Sequence, residues 1–121
     1  MVQSIKAGRE MLSIEEKAIE RAREELKRLL GDNLVALVAF GSRVRGDFTG
    51  DSDFDILVVV KQRSFKTIGT INSVFAKEED RTFTPFSVVV KTLDSFEKER
   101  AHNTTFYRNI KREGVAFYGR A

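Results

Sequence analysis

Two uninterrupted apolar runs in the middle of the chain constrain its fold more than any other feature. They are Leu34–Phe40 and Phe54–Val60. A run of this length that never alternates with polar residues is typical of a strand buried on both faces. The segment between them, which begins at Gly41, is polar and contains three glycines. We therefore predict two buried strands joined by a polar connection that is not part of the core.

The remaining segments alternate between helical and extended patterns. Apolar residues recur at helical spacing from Ile14 to Leu30, and Pro85 stands near the start of a third apolar run, where a missing N–H is tolerated. The patterns predict helices over Ser13–Leu30, Ser64–Lys77 and Asn103–Glu113, a short helix after Asp94, a strand over Thr84–Lys91, and a short strand or packed tail over Val115–Tyr118. This order predicts a small α/β (α+β) domain with helices packed on one sheet.

The length and charge of the chain limit its function classes. Its 121 residues fit one domain, and 41% hydrophobic residues, with ten phenylalanines, are enough to build a core. The net charge of +3 favours a ligand that carries phosphate. A dedicated nucleic-acid surface would show a cluster of basic residues, and Lys61 to Lys66 and Arg108 to Arg112 are both interrupted. We therefore expect no dedicated nucleic-acid surface.

The absence of cysteine removes disulfides, thiolate nucleophiles and thiolate metal sites together. No stretch approaches 18 apolar residues, so we predict no membrane span. Residues Met1 to Leu12 lack the apolar core of a signal peptide. A cytoplasmic protein is the simplest expectation.

Two carboxylates stand at the entrance to the second apolar run. Asp53 and Asp55 are two positions apart, so on a strand their side chains face the same way, with Cα atoms roughly 7 Å apart. Such a pair suits Mg²⁺, which prefers oxygen ligands and keeps other sites for water or phosphate. A metal also removes the repulsion between two neighbouring acids. Taken alone, the pair is also compatible with a strand flank or a calcium site.

The residues that leave the first strand have the chemistry of a phosphate-binding turn. Gly41 allows the backbone to approach a ligand closely, and Ser42 begins a segment whose N–H groups and hydroxyl suit an anion. Arg43 and Arg45 add guanidinium groups. Because they are two positions apart, both cannot face the same way on a helical turn, and one of them is expected to be structural.

The combined pattern G-S-R-V-R-G-D-F-T-G-D-S-D-F-D-I resembles the minimal nucleotidyltransferases, small members of the DNA polymerase β-like superfamily. Their signature is Gly-Ser, ten residues, then Asp-x-Asp, often with Arg-x-Arg-Gly after the serine. The resemblance implies a mixed sheet flanked by helices in a single domain over residues 1–121. Its motif core would be residues 34–92, and helices and a tail would occupy residues 93–121.

The family resemblance also implies an activity. It implies Mg²⁺-dependent transfer of a nucleoside monophosphate from a nucleoside triphosphate, ATP being the expected one, to an acceptor hydroxyl. Asp53 and Asp55 would be the catalytic metal ligands of a two-metal site, while Gly41, Ser42 and Arg43 would hold the triphosphate. Stand-alone members often pair with a helical HEPN-type protein in toxin–antitoxin systems, so the resemblance implies such a partner. Separately, aromatic side chains that a small domain leaves exposed could form an apolar patch for a partner or a second copy of this chain.

One position departs from the family pattern. Members usually carry a third carboxylate on the next long strand, and here Ser87 stands in its place within Pro85–Val90. Another acid could complete the site, namely Asp47, Asp51 or Asp94. A partner or the acceptor could also complete it. Alternatively, the chain is a nucleotide-binding or antitoxin-like interaction module with weakened catalysis, in which the acceptor-side metal is held more weakly.

Overall fold

The computed structural model describes residues 13–41 and 53–119. Its elements follow the predicted order of helix, two strands, helix, strand, two helices and a final strand. They are helix α1 (Ser13–Leu30), a 3₁₀ turn (Gly31–Asn33), strand β1 (Leu34–Phe40), strand β2 (Phe54–Val60), helix α2 (Phe65–Thr82), strand β3 (Phe86–Thr92), helix α3 (Leu93–Ala101), helix α4 (Thr105–Glu113) and strand β4 (Val115–Tyr118).

The four strands form one mixed sheet in the order β3-β2-β1-β4. Strand β1 pairs antiparallel with both β2 and β4, whereas β2 and β3 run parallel. A parallel pair needs a crossover connection, and α2 supplies it. The fold is therefore the predicted α+β domain with a mixed sheet flanked by helices.

Both faces of the sheet are covered, which explains why the apolar runs are uninterrupted. One face carries Phe54, Ile56 and Val58 into a core that α1 and α2 complete. The opposite face carries Leu57 and Val59 into a smaller core under α3 and α4. The alternation of β2 places Asp55 on the second face, together with Leu57 and Val59.

Helix α2 is longer than the sequence pattern predicted. It begins after the Ser64 N-cap, whose hydroxyl accepts from the backbone N–H of Thr67, and continues to Thr82 rather than ending at Lys77. Its last turns contain Glu78, which is buried and lies 2.7 Å from a guanidinium nitrogen of Arg21 on α1. This ion pair ties the highly charged end of α2 to the neighbouring helix.

The later elements also differ at their boundaries. Strand β3 begins at Phe86 rather than Thr84, because the Thr84 hydroxyl is turned inward and donates to Glu15 of α1 at 3.1 Å. Helix α4 begins after the Thr104 N-cap rather than at Asn103. The final segment is a strand, since it pairs with β1. No helix in the described ranges is long and apolar enough to cross a membrane.

Candidate functional site

Asp53 and Asp55 lie at the start of β2, at one end of the sheet. Asp53 immediately precedes the strand and is exposed, and Asp55 is its second residue and is half-buried. Strand alternation turns the Asp55 carboxylate toward the face that α3 and α4 cover, and Asp53 stands two positions before it, at the entrance to the strand. Asp55 sits between two neighbours, Phe40 on β1 and Ser87 on β3.

Gly41 lies directly against the carboxylate of Asp55. Its φ of +93° is one that L residues rarely adopt, and a Cβ placed on it would lie 2.1 Å from Asp55 Oδ2. Only glycine therefore allows β1 to end beside this side chain. The sequence indicated close backbone approach at Gly41, and in the structure the group that comes close is the second carboxylate itself.

The other predicted phosphate-binding residues, Ser42, Arg43 and Arg45, lie outside the described residues. Two of the acids considered as replacements, Asp47 and Asp51, lie there as well. Their roles stay predictions from the sequence.

Ser87 occupies the position on β3 that faces the acidic pair. It is the direct partner of Asp55 in the parallel register, and directly paired residues on neighbouring strands share a face. The side chain next to Asp55 on this side is therefore a neutral hydroxyl. Neighbouring strands are about 4.8 Å apart, so any residue at position 87 borders the carboxylate.

Asp94 does not lie near this site. It follows the far end of β3, on the first turn of α3, and its carboxylate is 3.3 Å from Lys98 Nζ. It lies seven positions beyond Ser87, along β3 and into α3, so the structure does not bring Asp94 to the acidic pair. Within residues 13–41 and 53–119, no group of three or more acidic or histidine side chains could hold a metal.

An aromatic and charged wall continues the same face beyond Asp55. Phe40 packs edge-on against Phe106 of α4, with ring centroids 5.8 Å apart. The Lys91 ammonium lies 5.0 Å from the centroid of Phe106 and 2.8 Å from Glu99 Oε2. This wall fixes the helices against the sheet beside the carboxylates. Sequence reasoning missed it, since its residues come from four separate elements and no local pattern connects them.

Electrostatics within this wall favour a charged Glu99. The Lys91 ammonium, and after it the Thr104 hydroxyl, lower the pKa of the Glu99 carboxyl. Lys91 is thereby neutralised by a partner on α3, although it points to the same face as Ser87. Lys91 therefore contributes to the packing of α3 and α4 against the sheet, and it lies several residues along β3 from the acidic pair.

The described residues fit one hard cation better than two. Asp53 and Asp55 offer carboxylate oxygens at the entrance to β2. Gly41 has no Cβ, so its backbone leaves room for Asp55 Oδ2. Mg²⁺ binds through one or two carboxylates together with substrate phosphates, so this donor set suits a metal that arrives with a triphosphate. The neutral Ser87 offers no charge for a second metal.

Comparison with known proteins gives the family. The family described as "nucleotidyltransferase domain" matches residues 19–116 of this chain. A candidate protein adenylyltransferase from Methanocaldococcus jannaschii is 30% identical over 106 residues, which cover 86% of this chain and 98% of that protein.

Solved structures show the same fold. Spectinomycin adenyltransferase from Enterococcus faecialis, solved with ATP and spectinomycin, has a TM-score of 0.65 at 16% identity and matches 88% of this chain. This chain spans only 56% of that longer protein. A toxin–antitoxin structure with AMP-PNP has a TM-score of 0.55 at 19% identity, and the match covers 84% of this chain and 73% of that one.

Proposed function

Because this chain belongs to the nucleotidyltransferase domain family, we propose that it transfers a nucleoside monophosphate from a nucleoside triphosphate to an acceptor hydroxyl. The observation that carries this proposal is the packing of Gly41 against Asp55, with Asp53 two positions earlier at the entrance to β2. A carboxylate pair held at a glycine turn is an arrangement suited to a metal-bound triphosphate.

In this proposal each predicted residue has a role. Asp53 and Asp55 hold Mg²⁺, while the turn from Gly41 through Ser42, with Arg43 and Arg45, holds the phosphates. The metal, when bound, neutralises charge that develops on the phosphate oxygens. The protein itself contributes mainly position, because phosphoryl transfer offers little covalent chemistry to side chains.

The proposed reaction is a single displacement. The acceptor oxygen forms a bond to the α-phosphorus of ATP, the bond from that phosphorus to the bridging oxygen breaks, and pyrophosphate leaves. The hydroxyl proton passes to a base or to solvent. Ser87 is not a base of the strength that a carboxylate would supply at this position, and loss of a general base typically slows a reaction by about 10²- to 10⁴-fold.

We also propose the acceptor and partner classes. A relative that matches almost end to end is named as a candidate protein adenylyltransferase, which supports ATP as donor and a protein as acceptor. The toxin–antitoxin neighbour supports a partner protein, and a helical HEPN-type protein is the partner expected from the family resemblance. Residues 1–121 would act as one domain.

A second function rests on the neutral residue beside Asp55. With Ser87 in register and no third acid among the described residues, the chain could bind metal-nucleotide and act by association with its partner. Nucleotide binding is common to both functions, and only the transfer step separates them.

Two measurements test the proposal. Binding of ATP is measured with and without Mg²⁺, and transfer is followed with ATP labelled at the α-phosphate. Asp53→Asn and Asp55→Asn should each abolish Mg²⁺-dependent binding and any transfer. Asp94→Asn is the matched control, because that acid lies at the far end of β3 and its loss should change neither. Equal binding by all four proteins would refute the nucleotide site.

A further inference from the structure

A cavity of about 270 Å³ lies between the sheet and helix α3. It is on the face of the sheet that carries Asp55, but toward the other end of the strands. Its floor contains Val59, which follows Asp55 by four positions on β2, or about 13 Å at the strand rise of 3.3 Å per residue. The cavity is therefore separate from the acidic pair. An apolar cavity of about 150 Å³ can hold benzene, so this one has room for a ring with a small substituent.

A β-bulge lies at the floor of the cavity. Leu34 pairs with Val60 and Ala36 pairs with Val59, so Val35 has no partner of its own in the register with β2. Val35 and Ala36 consequently both pack in the second core, although strict alternation would place them on opposite faces. Bulges re-aim side chains and are frequent next to binding sites. This bulge turns Val35 toward the cavity and makes the floor apolar.

The Tyr107 side chain lines the cavity and is only 9% exposed. Its ring packs against Phe96, with centroids 5.8 Å apart. Within residues 13–41 and 53–119, however, no group forms a hydrogen bond with the Tyr107 hydroxyl. A buried hydroxyl without a partner is costly, and native proteins contain few of them. This hydroxyl is therefore available to a ligand in the cavity.

Arg100 lines the same cavity and is 59% exposed, so it stands at the mouth. Its Nε donates to the Glu97 carboxylate at 2.9 Å, and its Nη2 donates to the same oxygen. Among the described residues this leaves Nη1 as a donor without a partner. The Glu97 carboxylate, and to a smaller extent the Tyr107 oxygen, raise the pKa of the Arg100 guanidinium. Arg100 is therefore charged, and by pairing with Glu97 it reduces the repulsion that this acid would exert on an anion.

We propose that this cavity binds a small carboxylate with an apolar body, separately from the nucleotide site. The apolar body packs on Val35, Val59 and Phe96, and the carboxylate accepts from the Tyr107 hydroxyl and from Arg100 Nη1. A carboxylate fits because both polar groups can donate and one of them is a cation, and charge-assisted hydrogen bonds are the stronger kind. This site goes beyond the proposed transferase function and does not depend on it.

The test uses the full chain and three probes, namely benzoate, benzylamine and acetate. Benzoate has the ring and the acceptor, benzylamine has the ring with a donor instead, and acetate has the acceptor without the ring. The Kd of each probe is measured by titration of protein amide NMR signals in wild type, Tyr107→Phe and Arg100→Met. Tyr118→Phe is the matched control, because that tyrosine packs with the larger core and its ring lies beneath Lys27.

Benzoate should bind wild type about tenfold more tightly than either other probe, because it alone matches both the donors and the apolar floor. Tyr107→Phe and Arg100→Met should each weaken benzoate binding about tenfold, as loss of one charge-assisted hydrogen bond does, and Tyr118→Phe should not. Without a probe, Tyr107→Phe should unfold in urea at the same or a higher concentration than wild type, because it removes a hydroxyl that has no partner in the protein. A structural hydroxyl would give the opposite result.

Other outcomes would overturn the inference. Equal binding of benzoate and benzylamine, or binding of neither, would exclude a carboxylate site. Unchanged benzoate affinity in Tyr107→Phe, or a marked loss of stability in that variant, would show that the hydroxyl does not serve a ligand. Loss of benzoate binding in Asp55→Asn, or its displacement by ATP with Mg²⁺, would place the probe in the nucleotide site. Failure of the transferase proposal is seen separately, as benzoate binding that persists in a protein without Mg²⁺-dependent ATP binding.

Discussion

The most informative single substitution is Ser87→Asp, which places a carboxylate beside Asp55. The two residues are direct partners on parallel strands, so their side chains leave the same face about 4.8 Å apart. Two unit charges about 5 Å apart repel by roughly 3 kcal/mol at an effective dielectric constant of 20. Exposure to water at the sheet end reduces this, so we expect a loss of about 1–3 kcal/mol without metal.

This loss should depend on magnesium. A divalent cation shared by the acids offsets their repulsion, and stabilisation by a ligand grows with its concentration relative to Kd. For a domain of this size, 1 kcal/mol changes the melting temperature by about 3–6 °C. Ser87→Asp should therefore melt several degrees below wild type in EDTA and regain most of that difference in millimolar Mg²⁺. Ser87→Asn, which has the same size without the charge, should not respond to Mg²⁺ more than wild type.

Activity gives an independent measure of the same substitution. If the neutral residue limits catalysis, an added base should raise the rate of labelled transfer toward the 10²- to 10⁴-fold range that general bases supply. ATP affinity should change much less, because Asp53 and Asp55 are still present. An equal Mg²⁺ response of Ser87→Asp and Ser87→Asn in thermal melts would refute the reasoning, since it would mean that position 87 does not border the metal.

Three further substitutions test the surroundings of the site. Gly41→Ala should cost about 1–3 kcal/mol in urea unfolding and weaken ATP binding, because the added Cβ would meet Asp55. Gly69→Ala in α2 is the control: its Cβ would meet open space, so the change should be neutral or stabilising. Glu99→Gln should lower the free energy of unfolding by about 1 kcal/mol at pH 7. The folded-state pKa of Glu99 lies below the ordinary 4.5, so its contribution to stability is present above that pH and is lost as the pH falls through the lowered pKa. The variant should therefore lose less stability than wild type on acidification. Arg21→Ala should cost roughly 1–3 kcal/mol in urea unfolding, because it removes the ion-pair partner of Glu78, whose side chain is only 3% exposed. Unchanged unfolding would contradict the pairing.

Local sequence patterns predicted the elements that build the site. Strands β1 and β2 have the predicted bounds, Leu34–Phe40 and Phe54–Val60, because an apolar run covered on both faces ends where polar residues begin. Helix α1 also has its predicted bounds, Ser13–Leu30, since its apolar stripe faces a core and its last residue precedes Gly31. These patterns are enough to place Asp53 and Asp55 at a strand entrance.

Features that depend on distant residues could not be predicted. The part of α2 beyond Lys77 contains Glu78, which forms an ion pair with Arg21, 57 positions apart in the chain. The wall beside Asp55 depends on Lys91 meeting Glu99 and Phe106 after three elements have packed. The left-handed conformation of Phe83 was missed because helix ends are usually marked by glycine, and this one is not.

The neutral residue at position 87 bears on both candidate functions, because Ser87 is the residue of β3 that pairs with Asp55. With serine at this position, the metal-free protein avoids the repulsion of a third carboxylate. Two acids are still enough to bind a Mg²⁺ ion that arrives with a triphosphate. If the proposed transfer takes place, its rate depends on what the acceptor or the partner brings to this position. A molecule that places its own acidic residue beside Ser87 would complete the site, and selectivity would then come from that molecule.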